Sequence, residues 1–282
     1  MNAIEETAED SAGPAMSNFT SRIIVAIVGL PIVLGVLWLG GWWLFALVAA
    51  AAFVAVHEFV TTARQLRPLA PAVYLGVLLA LLGAESGKVH WLLGGFAATF
   101  VLAFILNAAA ETRAPTTVAV GSTVLGSAWI GLGLGSLLVL REMHDHGRLI
   151  AFTVVITVFV ADTAAYLVGR LIGRHKLAPR LSPKKTWEGL IGGAVFGIFA
   201  TFVALYDTRK TYISVPQSLV LGAGVVAAAV IGDLFESALK RDLDVKDTGR
   251  LLGGHGGVLD RIDALLFAAP AAYFIVRAFG FH

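Results

Sequence analysis

Apolar runs of about twenty residues recur along the whole chain, separated by short polar stretches. As a helix, such a run matches the thickness of a bilayer core. Lipid offers no partner for a free backbone amide, so a run of this kind crosses as a self-bonded helix. The pattern predicts an all-α, polytopic transmembrane bundle of about nine spans, at roughly 22–41, 42–62, 69–86, 90–108, 117–140, 149–172, 187–206, 217–239 and 258–279. Gly40–Gly41 predicts a tight turn between the first two spans, and the third is short and led by Pro68 and Pro71. Residues 1–21 read as a disordered, polar, acidic tail, with either Met1 or Met16 as the native start. Residues 22–148 carry five spans, and residues 149–282 carry four spans with two basic loops.

Composition supports the membrane reading. The 282 residues are 57% hydrophobic, against roughly 45–50% in soluble domains. Cysteine is absent, which excludes a disulfide framework and thiolate chemistry. The formal net charge of +2 gives no reason to expect a nucleic-acid partner. Its distribution is more telling, with 5 Lys/Arg in residues 1–140 and 16 in residues 141–282. With the N-terminus cytoplasmic, loops on the inner side hold 15 Lys/Arg and those on the outer side hold 6. Positive charge prefers the inner face, so a cytoplasmic-membrane location with the two basic loops facing the cytoplasm is expected.

Polar groups placed beside these apolar runs mark the candidate chemistry. From Ser237 to Asp263, five cations and five carboxylates crowd into 27 residues of a chain that is only 14% charged. Asp233, Glu236, Ser237 and Lys240 follow a long uncharged run at i, i+3, i+4 and i+7, which places them on one helix face. Two carboxylates on one face repel unless a cation sits between them, which favours a hard divalent ion such as Mg²⁺. Asp260 and Asp263 open the ninth span around Arg261, where the helix dipole favours carboxylates. If spans eight and nine are antiparallel neighbours, Asp233 and Asp260 converge. The Gly249–Gly257 segment has five glycines whose amides can approach phosphate closely. Within it, His255 suits either a phosphate or a structural hydrogen bond.

Upstream, Asp162, Tyr166 and Gly169 share a face at the end of span six. A carboxylate at that depth is expected to be functional, or else paired, for instance with Arg170. Six cations follow: Arg170, Arg174, Lys176, Arg180, Lys184 and Lys185. They suit a positive-inside anchor, and Lys184 and Lys185 also suit a phosphate clamp at a helix start. Thr186 is expected to cap the next helix, with Glu188 in its first turn. His57 and Glu58, inside span two, favour a structural role. No Ser-His-Asp order is evident. Two basic loops on one face, buried carboxylates and a glycine-rich loop fit phosphoryl or nucleotidyl transfer.

These motifs resemble the phosphatidate cytidylyltransferases. The resemblance rests on Ser237-x2-Lys240-Arg241-x4-Lys246-Asp247-x-Gly249 followed by His255-Gly256-Gly257-x2-Asp260-Arg261-x-Asp263. Ser182-Pro183-Lys184-Lys185-Thr186 with Glu188-Gly189, and Asp162 with Tyr166 and Gly169-Arg170, resemble upstream motifs of that family. Gly253 stands where the family usually carries Pro, which loosens the loop. The resemblance implies that CTP and phosphatidic acid, drawn from the surrounding membrane lipids, give CDP-diacylglycerol and pyrophosphate with Mg²⁺, helped by K⁺ as a second ion. It implies Asp233 and Asp260 as metal carboxylates, with Asp263, Asp247 and Asp162 behind them. Lys240, Arg241, Lys246 and Arg261 would hold the triphosphate, and Lys184, Lys185 and Arg180 the lipid head group. Ser237 would orient a carboxylate or phosphate, and His255, Gly256 and Gly257 would line the phosphate loop. Family members look like dimers, although no interface signature is legible in the sequence. A CTP-dependent lipid kinase and an ion transporter are the competing readings. A CDP-alcohol phosphotransferase is disfavoured because its D-x2-D-G-x2-A-R motif is absent.

Overall fold

The computed structural model describes residues 18–109, 115–144, 146–249 and 256–281. Among them, apolar helices follow one another in the expected order. They are α1 (Asn18–Leu39), α2 (Gly41–Thr62), α3 (Ala70–Glu85), α4 (Val89–Ala109), α5 (Thr116–Arg141), α6 (Gly147–Ile172), α7 (Trp187–Leu205), α8 (Val215–Asp242) and α9 (Leu259–Ala278). Helix α1 starts within the stretch expected as tail. Six helices (α2, α4, α5, α6, α7 and α8) are long and apolar enough to cross a membrane by length and composition. The protein is therefore an all-α polytopic membrane protein. α3 is 16 residues long, and α9 begins with charge.

Local chemistry sets the helix ends. Gly40 and Gly41 both have positive φ, the left-handed geometry that a one-residue break between α1 and α2 requires. The Thr186 hydroxyl accepts the Gly189 amide at 3.1 Å and caps α7, as expected. α8 opens on a capping box between Ser214 and Gln217.

α5 is the central pillar, packed by α3, α4 and α9. It contains a π turn at Ala128–Leu132, an irregularity invisible in the apolar pattern. The turn carries Trp129, whose ring meets Phe59 of α2 edge-on at 6.5 Å and Phe235 of α8 at 5.1 Å. Phe235 in turn meets Phe267 of α9 at 5.4 Å. Four helices thus share an aromatic floor, and Glu58 and Glu236 each follow or precede one of its rings in sequence.

α6 packs along α7 through small residues. A Cβ placed on Gly193 would stand 2.8 Å from the Ala161 carbonyl oxygen and 2.9 Å from the Ala165 Cβ. A buried Thr157–Thr201 hydroxyl pair at 2.7 Å joins the two helices further along. Between them the chain forms a feature not expected from the sequence, an antiparallel hairpin of β1 (Lys176–Ala178) and β2 (Ser182–Thr186). The basic loop is therefore a folded element. Gly193→Val should force α6 and α7 apart and cost about 1–3 kcal/mol, read as a lower thermal midpoint in detergent; an unchanged midpoint would contradict this close packing.

Candidate active site

The hairpin, the C-terminal halves of α6 and α8 and the start of α9 enclose a cleft of about 680 Å³. Its carboxylates come from three helices: Asp162 of α6, Asp233 and Glu236 of α8, and Asp260 and Asp263 of α9. Asp247 adds one from the segment after α8. Its cations are Arg170, Lys176, Lys184, Lys185, Lys240 and Arg261. The i, i+3 spacing of Asp233 and Glu236 and of Asp260 and Asp263 turns each pair inward as α8 and α9 pack together.

Asp233, Glu236 and Asp263 converge, with one oxygen from each lying within 4.8 Å of the others. Glu236 and Asp263 are buried, at 2% and 7% exposure. Repulsion among these groups is met by ammonium groups from two elements. Lys185, at the end of β2, forms an ion pair with Asp233. Lys240 lies between α8 and α9, 2.6 Å from Glu236 Oε2 and 2.8 Å from Asp260 Oδ1. Glu236 Oε1 is buried and has no hydrogen-bond partner among the described residues. Three converging carboxylates with an orphaned oxygen suit a hard divalent cation.

Asp260, expected from the sequence as the second metal carboxylate, lies outside that trio. Its oxygens accept from Lys240, from the Thr248 amide at 3.1 Å and from the Gly257 amide at 2.7 Å. Asp260 therefore clamps the segment after α8 onto the start of α9. Asp263, a second-rank expectation, is one of the trio instead. Lys240, expected on a triphosphate, is engaged by carboxylates. Asp162, Tyr166 and Gly169 all line the cleft, and Arg170 bonds the Tyr166 hydroxyl at 3.1 Å.

Lys184, Lys185, Asp247 and Arg261 also line the cleft, whereas Arg180, Ser237, Arg241 and Lys246 do not. Arg241 Nε donates to the Leu181 carbonyl at 3.3 Å and tethers the hairpin to α8. Gly256 adopts a φ of 75°, and a Cβ there would stand 2.7 Å from Asp260 Oδ2. Gly257 donates to Asp260, and His255 lies outside the described residues.

Sequence reasoning missed Lys176 as a lining residue. Its signal is strand register, since Lys176 pairs with Thr186 across the hairpin. Glu188 does more than sit in the first turn of α7. It accepts the Arg174 and His175 amides and contacts His175 Nδ1 at 2.6 Å, fixing the hairpin base.

A cleft at the end of apolar helices, lined by carboxylates and facing cations and bordered by a basic hairpin, suits phosphorylated ligands in an integral-membrane protein. The comparisons narrow that class. Residues 20–279 match the cytidylyltransferase family. The phosphatidate cytidylyltransferase of Mycobacterium bovis is 35% identical over 282 residues, covering 91% of this chain and 87% of the relative. That of Synechocystis is 30% identical over 291 residues, covering 91% and 96%. The Bacillus subtilis protein of the same name is 37% identical over 161 residues, covering 57% and 59%. The chain belongs to the cytidylyltransferase family.

Lys240→Met leaves Glu236 and Asp260 facing each other without their shared ammonium. It should destabilise the protein by about 3–5 kcal/mol, measured by denaturation in detergent; wild-type stability would show that this pairing does not hold the α8–α9 seam.

Proposed function

We propose that this chain is a phosphatidate cytidylyltransferase, joining CTP to phosphatidic acid to give CDP-diacylglycerol and pyrophosphate. The observation that carries the reading is the Asp233–Glu236–Asp263 cluster set against cations from the hairpin and α9, in a cleft at the end of apolar helices. Relatives that share this chain's length carry that activity in their names.

In the proposed reaction, an oxygen of the phosphatidate phosphate attacks the α-phosphorus of CTP. The bond from that phosphorus to the bridging oxygen of the β-phosphate breaks, and pyrophosphate leaves with the electron pair. A phosphate monoester has a second pKa near 6, so the nucleophile is already ionised and needs no strong general base. Catalysis is then a matter of alignment and charge neutralisation.

Lys184 and Lys185, with Lys176 beside them, would hold the lipid phosphate at the hairpin. Arg261 would face the triphosphate from α9. Asp233, Glu236 and Asp263 would hold Mg²⁺, which supplies neutralisation of the triphosphate charge when bound. Asp260 would join them by exchanging Lys240 for a cation, either Mg²⁺ or the K⁺ implied by resemblance. Lys240 released from Asp260 would then be free to meet phosphate, as the motif suggests.

The proposed topology has nine crossings, with the N-terminus and both basic loops on the cytoplasmic side of the bacterial cell membrane, where CTP is available. The surplus of Lys/Arg in those loops supports it. So does their meeting in one cleft, which requires them to share a membrane face. A homodimer is proposed only from the family resemblance.

Asp263→Asn should lower formation of CDP-diacylglycerol and pyrophosphate by at least about 100-fold, since it removes one of the three carboxylates that would hold the cation neutralising the triphosphate. The check is a product assay on purified protein with phosphatidic acid, labelled CTP and Mg²⁺. CDP with a lipid phosphate would point to a kinase instead, and near-normal turnover by the variant would contradict the proposed carboxylate role.

A further inference from the structure

Glu58 lies one turn before the end of apolar α2 and is buried, at 5% exposure. It does not line the cleft. Its Oε1 accepts the Val258 amide at 3.0 Å and its Oε2 accepts the Leu259 amide at 2.8 Å, across about 200 residues of sequence. A bidentate carboxylate thus caps the N-terminus of α9 from another helix. The same carboxylate is packed tightly by glycine backbone on two sides. A Cβ on Gly249 would stand 2.6 Å from its Cδ, and a Cβ on Gly257 would meet the same atom at 2.6 Å. One turn further along α2, the Thr62 hydroxyl donates to the Thr248 carbonyl at 2.9 Å. Both described ends of the glycine-rich segment, Thr248–Gly249 and Gly256–Leu259, are therefore held by one face of α2.

We propose that Glu58 is a positioning residue for nucleotide binding, fixing both ends of the glycine-rich segment and the start of α9 so that Asp260, Arg261 and Asp263 face the cleft together. The inference rests on the functional reading above, because it assigns the triphosphate to that end of the cleft. It gives the N-terminal helices, which contribute no residue to the cleft lining, a share in substrate binding. Glutamine at this position keeps the shape but presents an NH₂ group to one of the two backbone amides. Donor then faces donor, and one end of the segment must move away.

The test is steady-state kinetics of Glu58→Gln in nanodiscs, varying CTP and phosphatidic acid separately, with Gly249→Ala as a second variant should the first fold poorly. A positioning role predicts that KM for CTP rises on the order of tenfold, with KM for phosphatidic acid within about twofold of wild type and the thermal midpoint within a few degrees. If turnover instead falls while both KM values stay unchanged, Glu58 serves folding alone and the inference is overturned. Wild-type kinetics in both variants would overturn it equally. A wild-type protein that consumes no CTP would remove the functional reading itself, and this inference with it, so the two failures are distinguishable.

Discussion

The cleft depends on the cost of keeping several buried carboxylates close together. Glu236 and Asp263 are almost wholly buried and Asp233 stands beside them. Carboxylates placed this way repel one another strongly where the dielectric is low. The structure answers with two lysines from different elements, Lys185 from the hairpin and Lys240 across the α8–α9 seam. The hairpin is in turn held by Arg241 and Glu188, so charge compensation is built into the architecture.

The helical bundle supplies rigidity under that balance. The π turn in α5 places Trp129 so that its ring touches both α2 and α8. With the Phe235–Phe267 contact, these rings tie α2, α5, α8 and α9 together. Close glycine contacts between α6 and α7 bring Asp162 and the hairpin to the same opening. Loosening any of these contacts would displace the cleft's charges relative to one another, which matters where alignment carries the reaction.

Much of this was legible in the sequence because it depends on spacing within one element. The order of apolar helices, the Thr186 cap and the inward faces of Asp162–Tyr166–Gly169 and Asp233–Glu236–Lys240 follow from period and residue type. Contacts between distant elements were not legible. Asp233 and Asp260 were expected to converge and do line one cleft, but the packing of α8 on α9 groups Asp233 with Glu236 and Asp263, while Asp260 bonds Lys240 and two loop amides. Glu58 was expected, with His57, to have a structural role, but its partners could not be read because they lie about 200 residues away. The hairpin was hidden by its charge, since a run of lysines and arginines around Pro179 and Pro183 looks like an irregular loop until the register of Lys176 on Thr186 is known.

The central claim is that Asp233, Glu236 and Asp263 form one cation site coupled to nucleotide binding. Its most direct test is Mn²⁺ binding followed by electron paramagnetic resonance, with Mn²⁺ standing in for Mg²⁺, on wild type and Glu236→Gln. The account predicts a bound-ion signal in the wild type that changes when CTP is added and is lost or much weakened in the variant. Equal binding in both proteins, insensitive to CTP, would contradict it.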